Sequence, residues 1–114
     1  TGALISCCSH LASILLDANE LQKNALISYA KDIGLAFQIA DDLLDVEGNE
    51  KIIGKPIMQD NKNETQNFVT VLGKDKALQK ALEVSNKAIN SIQKFKYGTE
   101  NLVSLAKYIV SRNY

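Results

Sequence analysis

Proline and histidine each occur once in 114 residues, cysteine occurs twice, and neither sign of charge is in excess, thirteen basic residues facing thirteen acidic ones. A balanced chain projects no net field, which excludes general binding to nucleic acid or to an anionic membrane surface. The tyrosines are scattered and read as core or helix-end packing rather than as a stacking platform for bases. Cys7 and Cys8 are adjacent, a spacing that builds neither a disulfide framework nor a zinc site. On a helix they diverge by about 100°, so Cys8 is expected in the core, Cys7 is incidental, and the compartment is reducing. His10 is expected to be structural or exposed, and no grouping of Ser, His and Asp suggests a nucleophilic triad. No apolar run approaches the roughly 18 residues needed to span a bilayer, and no basic-then-apolar signal opens the chain. Cytoplasm is therefore the default location and no transmembrane segment is expected. The chain opens at Thr1-Gly2-Ala3-Leu4 directly in a helical pattern with no initiator Met, which fits a processed chain or a gene fragment.

What is present is helical periodicity. At 46% hydrophobic residues the length suits one core, so residues 1–114 are read as a single helical unit. Leu4, Cys8, Leu11 and Leu15, with Ile5, Ala12 and Leu16 on the adjoining row, form a wide stripe that predicts a first helix with that face buried. Asp17-Ala18-Asn19 breaks the pattern, and Asn19 with Gln22 has the spacing of a capping box. The second helix starts there. Its stripe runs through Ala25 or Leu26, Tyr29, Ile33, Phe37, Ala40 and Leu44 and is expected to stop near Glu47-Gly48-Asn49. Gly34 in its middle costs about 1 kcal/mol relative to Ala, and close helix packing or room for a ligand explains it equally well. Residues 50–65 read as a polar loop containing Gly54, Lys55 and Pro56. The run Phe68 to Leu72 is β-branched but short and has no partner strand, so a short helix is expected. Leu78, Leu82, Ser85, Ile89, Ile92 and Phe95 predict a helix over 75–96 closed by Tyr97-Gly98, and Thr99 caps a last helix with Leu102, Leu105, Ala106 and Ile109 inward. The fold class is all-α, a helical bundle.

The chemistry concentrates in Phe37-Gln38-Ile39-Ala40-Asp41-Asp42-Leu43-Leu44-Asp45. On a helix Asp41 and Asp45 lie one above the other, Gln38 continues the stripe, and Asp42 sits on its shoulder. Two carboxylates about 6 Å apart repel by roughly 3 kcal/mol at an effective dielectric of about 20. A cation is the simplest offset. Carboxylate oxygens without His or Cys suit Mg²⁺ or Ca²⁺ rather than zinc, and the spacing lacks the pattern of an EF-hand. Mg²⁺ is typically held by one or two carboxylates and completed by water and phosphate, which makes a diphosphate its natural companion. Lys55, in an extended Gly-Lys-Pro segment, is placed to reach an anion near that helix end.

The acid-bearing run, extended by Val46 and followed by Gly54-Lys55-Pro56 and Asp60, resembles the second aspartate-rich region of the trans-prenyltransferases, the farnesyl and geranylgeranyl diphosphate synthases. Thr1-Gly2-Ala3-Leu4 resembles the helix preceding it in that family, and residues 105–114 resemble the C-terminal helix. The resemblance implies the C-terminal portion of the isoprenoid synthase fold. It also implies Mg²⁺-dependent condensation of isopentenyl diphosphate with an allylic diphosphate through an allylic carbocation. Carried across residue by residue, Asp41 would ligate Mg²⁺ directly, and Asp42 and Asp45 would bind metal waters or orient the site. Lys55 and Thr1 would lie beside the allylic diphosphate, and Phe37 and Gln38 would line the isopentenyl side. The family commonly forms homodimers.

Two departures stand out. The family's lysine five residues after the aspartate matching Asp60 is Thr65 here, with Lys62 a nearby substitute. The first aspartate motif and the chain-length residues belong to an N-terminal half that this chain does not contain. The alternative reading is a catalytically inactive helical fragment, or an interaction module of a split or decayed synthase gene.

Overall fold

The computed structural model describes residues 2–53, 68–95 and 98–111. Among them are five helices in the order α1 (Gly2–Leu15), α2 (Glu20–Ile53), α3 (Phe68–Leu72), α4 (Lys74–Ile92) and α5 (Glu100–Ser111), with no strand among the described residues. At about 1.5 Å per residue the 34 residues of α2 account for the longest dimension of the molecule, 51 Å.

The turn between α1 and α2 follows from local chemistry. The Ala18 N–H donates to the Ser13 carbonyl at 2.9 Å and the Asp17 N–H to the Ile14 carbonyl at 3.2 Å, the paired bonds of a Schellman ending. Asp17 takes the required left-handed conformation at φ 54, which Asp tolerates better than most residues. The next helix begins as the sequence predicts. The Gln22 N–H donates to Asn19 Oδ1 at 2.8 Å and the Asn19 N–H donates to Gln22 Oε1 at 3.1 Å, a reciprocal capping box.

How α1 packs differs from expectation. Leu4, Cys8, Leu11 and Leu15 are all exposed, and so is Cys7. The face turned toward α2 carries Gly2, Ile5, Ser6, Ser9 and Ser13, of which Ser13 is buried with its hydroxyl donating to the His10 carbonyl at 2.7 Å. Small residues let two backbones approach, and Gly34 shows how closely: a Cβ placed there would lie 2.7 Å from Gly2 Cα. The glycine therefore serves helix contact. The leucine row of α1 meets no counterpart among the described residues.

Helix α2 also runs further than expected, through Gly48 to Ile53. Gly48 is absent from the positive-φ glycines, Gly73 and Gly98, so it does not form a left-handed cap; a single helical glycine costs only about 1 kcal/mol. Along α2, Ala25, Tyr29, Ile33, Ala36, Ile39, Ala40 and Val46 are buried, while Phe37 and Leu44 are half-buried.

The largest interface joins α2 and α4. Here too the register differs: Ala77, Ala81 and Ala88 are fully buried, whereas Leu78 and Leu82, expected inward, are 44% and 45% exposed. An alanine row brings the helix axes closer than leucines would allow, and close packing carries most of the dispersion attraction. Helix α4 ends at Ile92, short of residue 96, with the Gln93 N–H donating to the Ile89 carbonyl. Residues 96 and 97 lie outside the described residues. In α5, Ala106 and Ile109 are buried as expected, but Leu105 is 45% exposed. Two long-range hydrogen bonds hold this helix: Tyr29 Oη donates to the Leu102 carbonyl at 2.6 Å and Ser85 Oγ to the Ala106 carbonyl at 2.8 Å. Burial raises the Tyr29 hydroxyl from its ordinary 10.0 to about 12.

Candidate metal centre

The packing of α2 decides which way its acids face. Ile39 and Val46 form an apolar cluster with Val69 of α3 and with Ala77 and Ala81 of α4. Taking about 100° per residue, Asp41 and Asp45 lie roughly 40° apart on the side of α2 away from that cluster. Asp42 stands about 100° from Asp41, between the acid row and the apolar row. Asp41 and Asp42 are half-buried, and Asp45 and Gln38 are exposed.

Asp42 accepts a hydrogen bond at each of its oxygens. The Gln38 side-chain amide donates to its Oδ1 at 3.3 Å, and the Phe68 N–H at the start of α3 donates to its Oδ2 at 3.2 Å. Asp45 shows the repulsion inherent in the stripe: partial desolvation, then the charges of Asp41 and Asp42, hold its carboxyl above the usual 3.8. A cation placed against the row would offset the last two causes. Among the described residues no group of three His, Cys, Asp or Glu side chains converges to hold a metal ion. The row is an open edge of oxygen donors, which leaves most positions around a hard cation to water or to ligand oxygens.

Gly34 and Asp41 are seven residues apart and so share a face of α2 to within about 20°. The first turn of α1, seated on Gly34, thus lies on the acid face about 10 Å along the helix from Asp41. A cleft of about 310 Å³ lined by Ala40, Leu43, Leu44, Glu47, Lys74 and Leu78, among others, opens on the opposite side of α2. It is separate from the acids.

Of the residues singled out in the sequence, Gln38, Asp41, Asp42 and Asp45 come together on one edge of α2. Phe37 packs against the cluster around Tyr29, Ile33 and Ile89. Thr1 and Lys55 lie outside the described residues, as do Asp60, Lys62 and Thr65. The tie between Asp42 and Phe68 was not foreseen. It joins positions 26 apart, and its one trace in the sequence is that Asp42 adjoins the row of Ile39 and Val46 on which α3 packs.

An all-α assembly with a row of carboxylates along its longest helix is the arrangement of the isoprenoid synthase fold. The chain belongs to the polyprenyl synthetase family, whose sequence profile matches residues 1–105. It is 34% identical over 113 residues to a farnesyl diphosphate synthase of Micrococcus luteus, covering 99% of this chain and 39% of that protein. A dimethylallyltranstransferase of Fischerella ambigua is 33% identical over 114 residues, covering 100% of this chain and 33% of the relative. A geranylgeranyl diphosphate synthase of Cyanophora paradoxa is 34% identical over 113 residues, covering 99% and 38%. The chain thus spans between 33% and 39% of the length of these curated relatives. Among the described residues no helix is long and apolar enough to cross a membrane.

Proposed function

We propose that this chain supplies one wall of a Mg²⁺-dependent prenyl-transfer site, in which isopentenyl diphosphate is condensed with an allylic diphosphate in the cytoplasm. The observation that carries the reading is the open carboxylate edge of α2, where Asp45 is held above its usual range in part by Asp41 and Asp42. Oxygen donors alone, on one edge and with mutual repulsion to relieve, fit Mg²⁺. Asp41 would hold it directly, with Asp42 and Asp45 engaging metal-bound water or orienting the site.

Bound there, the ion supplies charge neutralisation to a departing diphosphate. The chain's own part is binding. Thr1 and Lys55 are assigned to the allylic diphosphate, and Phe37 and Gln38 to the isopentenyl side. Closure of this edge by the opposing wall would exclude water, and electrostatic contacts are stronger where water is excluded. We assign the opposing wall to the N-terminal half of the synthase fold, and a homodimer is the assembly proposed. Whether Lys62 takes the place of the lysine absent at Thr65 is tested by Lys62→Ala in the same assay.

In that assay, geranyl diphosphate binding should require Mg²⁺, and Asp41→Ala should abolish it; calorimetry with and without the metal provides the measurement. Equal affinity in the variant and the parent would refute the assignment of the site. Turnover is expected when an N-terminal half is supplied. A non-catalytic interaction module is the second reading, favoured by the exposed leucines of α1, and absence of metal-dependent diphosphate binding would select it.

A further inference from the structure

We propose that the exposed row of α1 is the seam of a dimer in which two copies of this chain lay their α1 helices side by side and antiparallel, about a two-fold axis passing between Ser9 and His10. This names the surface of the homodimer proposed above and is independent of the metal site.

Spacing, charge and side-chain size carry it. Leu4, Cys8, Leu11 and Leu15 are all exposed, Leu4 at 69% and Leu15 at 82%. Their separations of four, three and four residues are those of a coiled-coil seam, and at about 100° per residue the four fall within about 60° of one another. The row faces away from α2, since Ser6, Ser9 and Ser13 occupy the inner side. That series of separations reads the same in both directions. Two antiparallel copies therefore match, with Leu4 opposite the partner's Leu15 and Cys8 opposite the partner's Leu11, and the contact closes on itself at two copies. Charge also fits a second copy. A surface that meets its own copy sets like charge against like, and α1 holds no Asp, Glu, Lys or Arg in its 14 residues, in a chain that is 23% charged. Size sets the direction. In parallel helices Cys8 would meet the partner's Cys8 and leave a gap between leucine layers, whereas antiparallel helices put a leucine against each cysteine and oppose their dipoles. A face about 21 Å long covers less than the roughly 800 Å² per partner of a standard stable interface, which makes the dimer a micromolar one.

The test is sedimentation equilibrium of the whole 114-residue chain, with helicity followed by circular dichroism. Leu4→Glu and Leu15→Lys alone should each raise the dimer dissociation constant about tenfold or more by setting an unpaired charge against leucine. Combined in one chain, the two substitutions face each other across the axis twice, and the double variant should dimerise within about threefold of the parent. Both side chains are already exposed in the single chain, so helicity should not change. Tyr108→Lys, at a side chain 62% exposed on α5, should leave the dimer as it is. A double variant as weak as the single variants, or weaker, overturns the antiparallel pairing, because parallel helices would set like charges together. A loss in Tyr108→Lys equal to that in Leu4→Glu puts the contact on another face and overturns the seam. So does a parent chain that stays monomeric through the micromolar range. Mg²⁺-dependent binding of geranyl diphosphate is read separately, so the metal site can fail while the dimer stands, and the reverse.

Discussion

Two glycines of α2 illustrate how residue-scale consequences depend on neighbours. A methyl group at Gly34 would press on Gly2 Cα, whereas one at Gly48 would meet nothing within 4 Å. Gly34→Ala should therefore lower stability by about 1–3 kcal/mol through overpacking, and Gly48→Ala should raise it by about 0.5–1 kcal/mol by removing backbone freedom from the unfolded chain. Thermal unfolding of the pair checks both signs at once. From sequence Gly34 reads as a mid-helix glycine and Gly48 as a helix stop, and neither reading says what a methyl group there would meet. Tyr29 gives a second test. Its hydroxyl is harder to ionise in the folded state, at about 12 against 10.0, so the folded protein holds that proton more tightly. The contribution is intact below pH 10 and is lost as pH rises through 10 toward 12. Tyr29→Phe should abolish that alkaline fall and, at neutral pH, cost about 0.5–1.5 kcal/mol for the lost bond to Leu102. Unfolding followed at several pH values separates the two effects.

At the scale of elements, boundaries written by local chemistry were legible and orientations were not. The Asn19 and Gln22 capping box and the short helix Phe68–Leu72 stand where the sequence puts them, whereas α4 ends at Ile92 rather than at Gly98. The burial of α4 also departs, because a periodic pattern admits an alanine row or a leucine row as its inner face, and only the partner helix chooses. In the structure the partner is α2, and it selects Ala77, Ala81 and Ala88. Accordingly Ala81→Leu should destabilise by about 1–3 kcal/mol, while Leu82→Gln should change stability by no more than about 0.5 kcal/mol. Chemical denaturation of the two variants measures the contrast, and a larger cost for Leu82→Gln would place the wrong face inward.

For the whole molecule, the unbalanced feature is α1. It offers Leu4, Leu11, Ile14 and Leu15 to the outside while packing through glycine and serine. Apolar side chains gathered on one exposed face favour association in water. The chain should therefore sediment as a concentration-dependent mixture at micromolar levels, and Leu11→Lys combined with Leu15→Lys should shift it toward monomer without loss of helicity. A parent chain that stays monomeric across that range would show the exposed row to be too small to drive contact.

The sequence by itself determined an all-helical protein, the capping of its second helix and a run of acids on one edge, because helical period, capping and the spacing of Asp41, Asp42 and Asp45 are local properties of the chain. Tertiary structure alone decided which face of α1 and α4 is inward, that Gly34 admits Gly2, and that Asp42 turns to Phe68. These depend on which backbones approach closely, and closeness between positions far apart in sequence is settled by packing rather than by pattern.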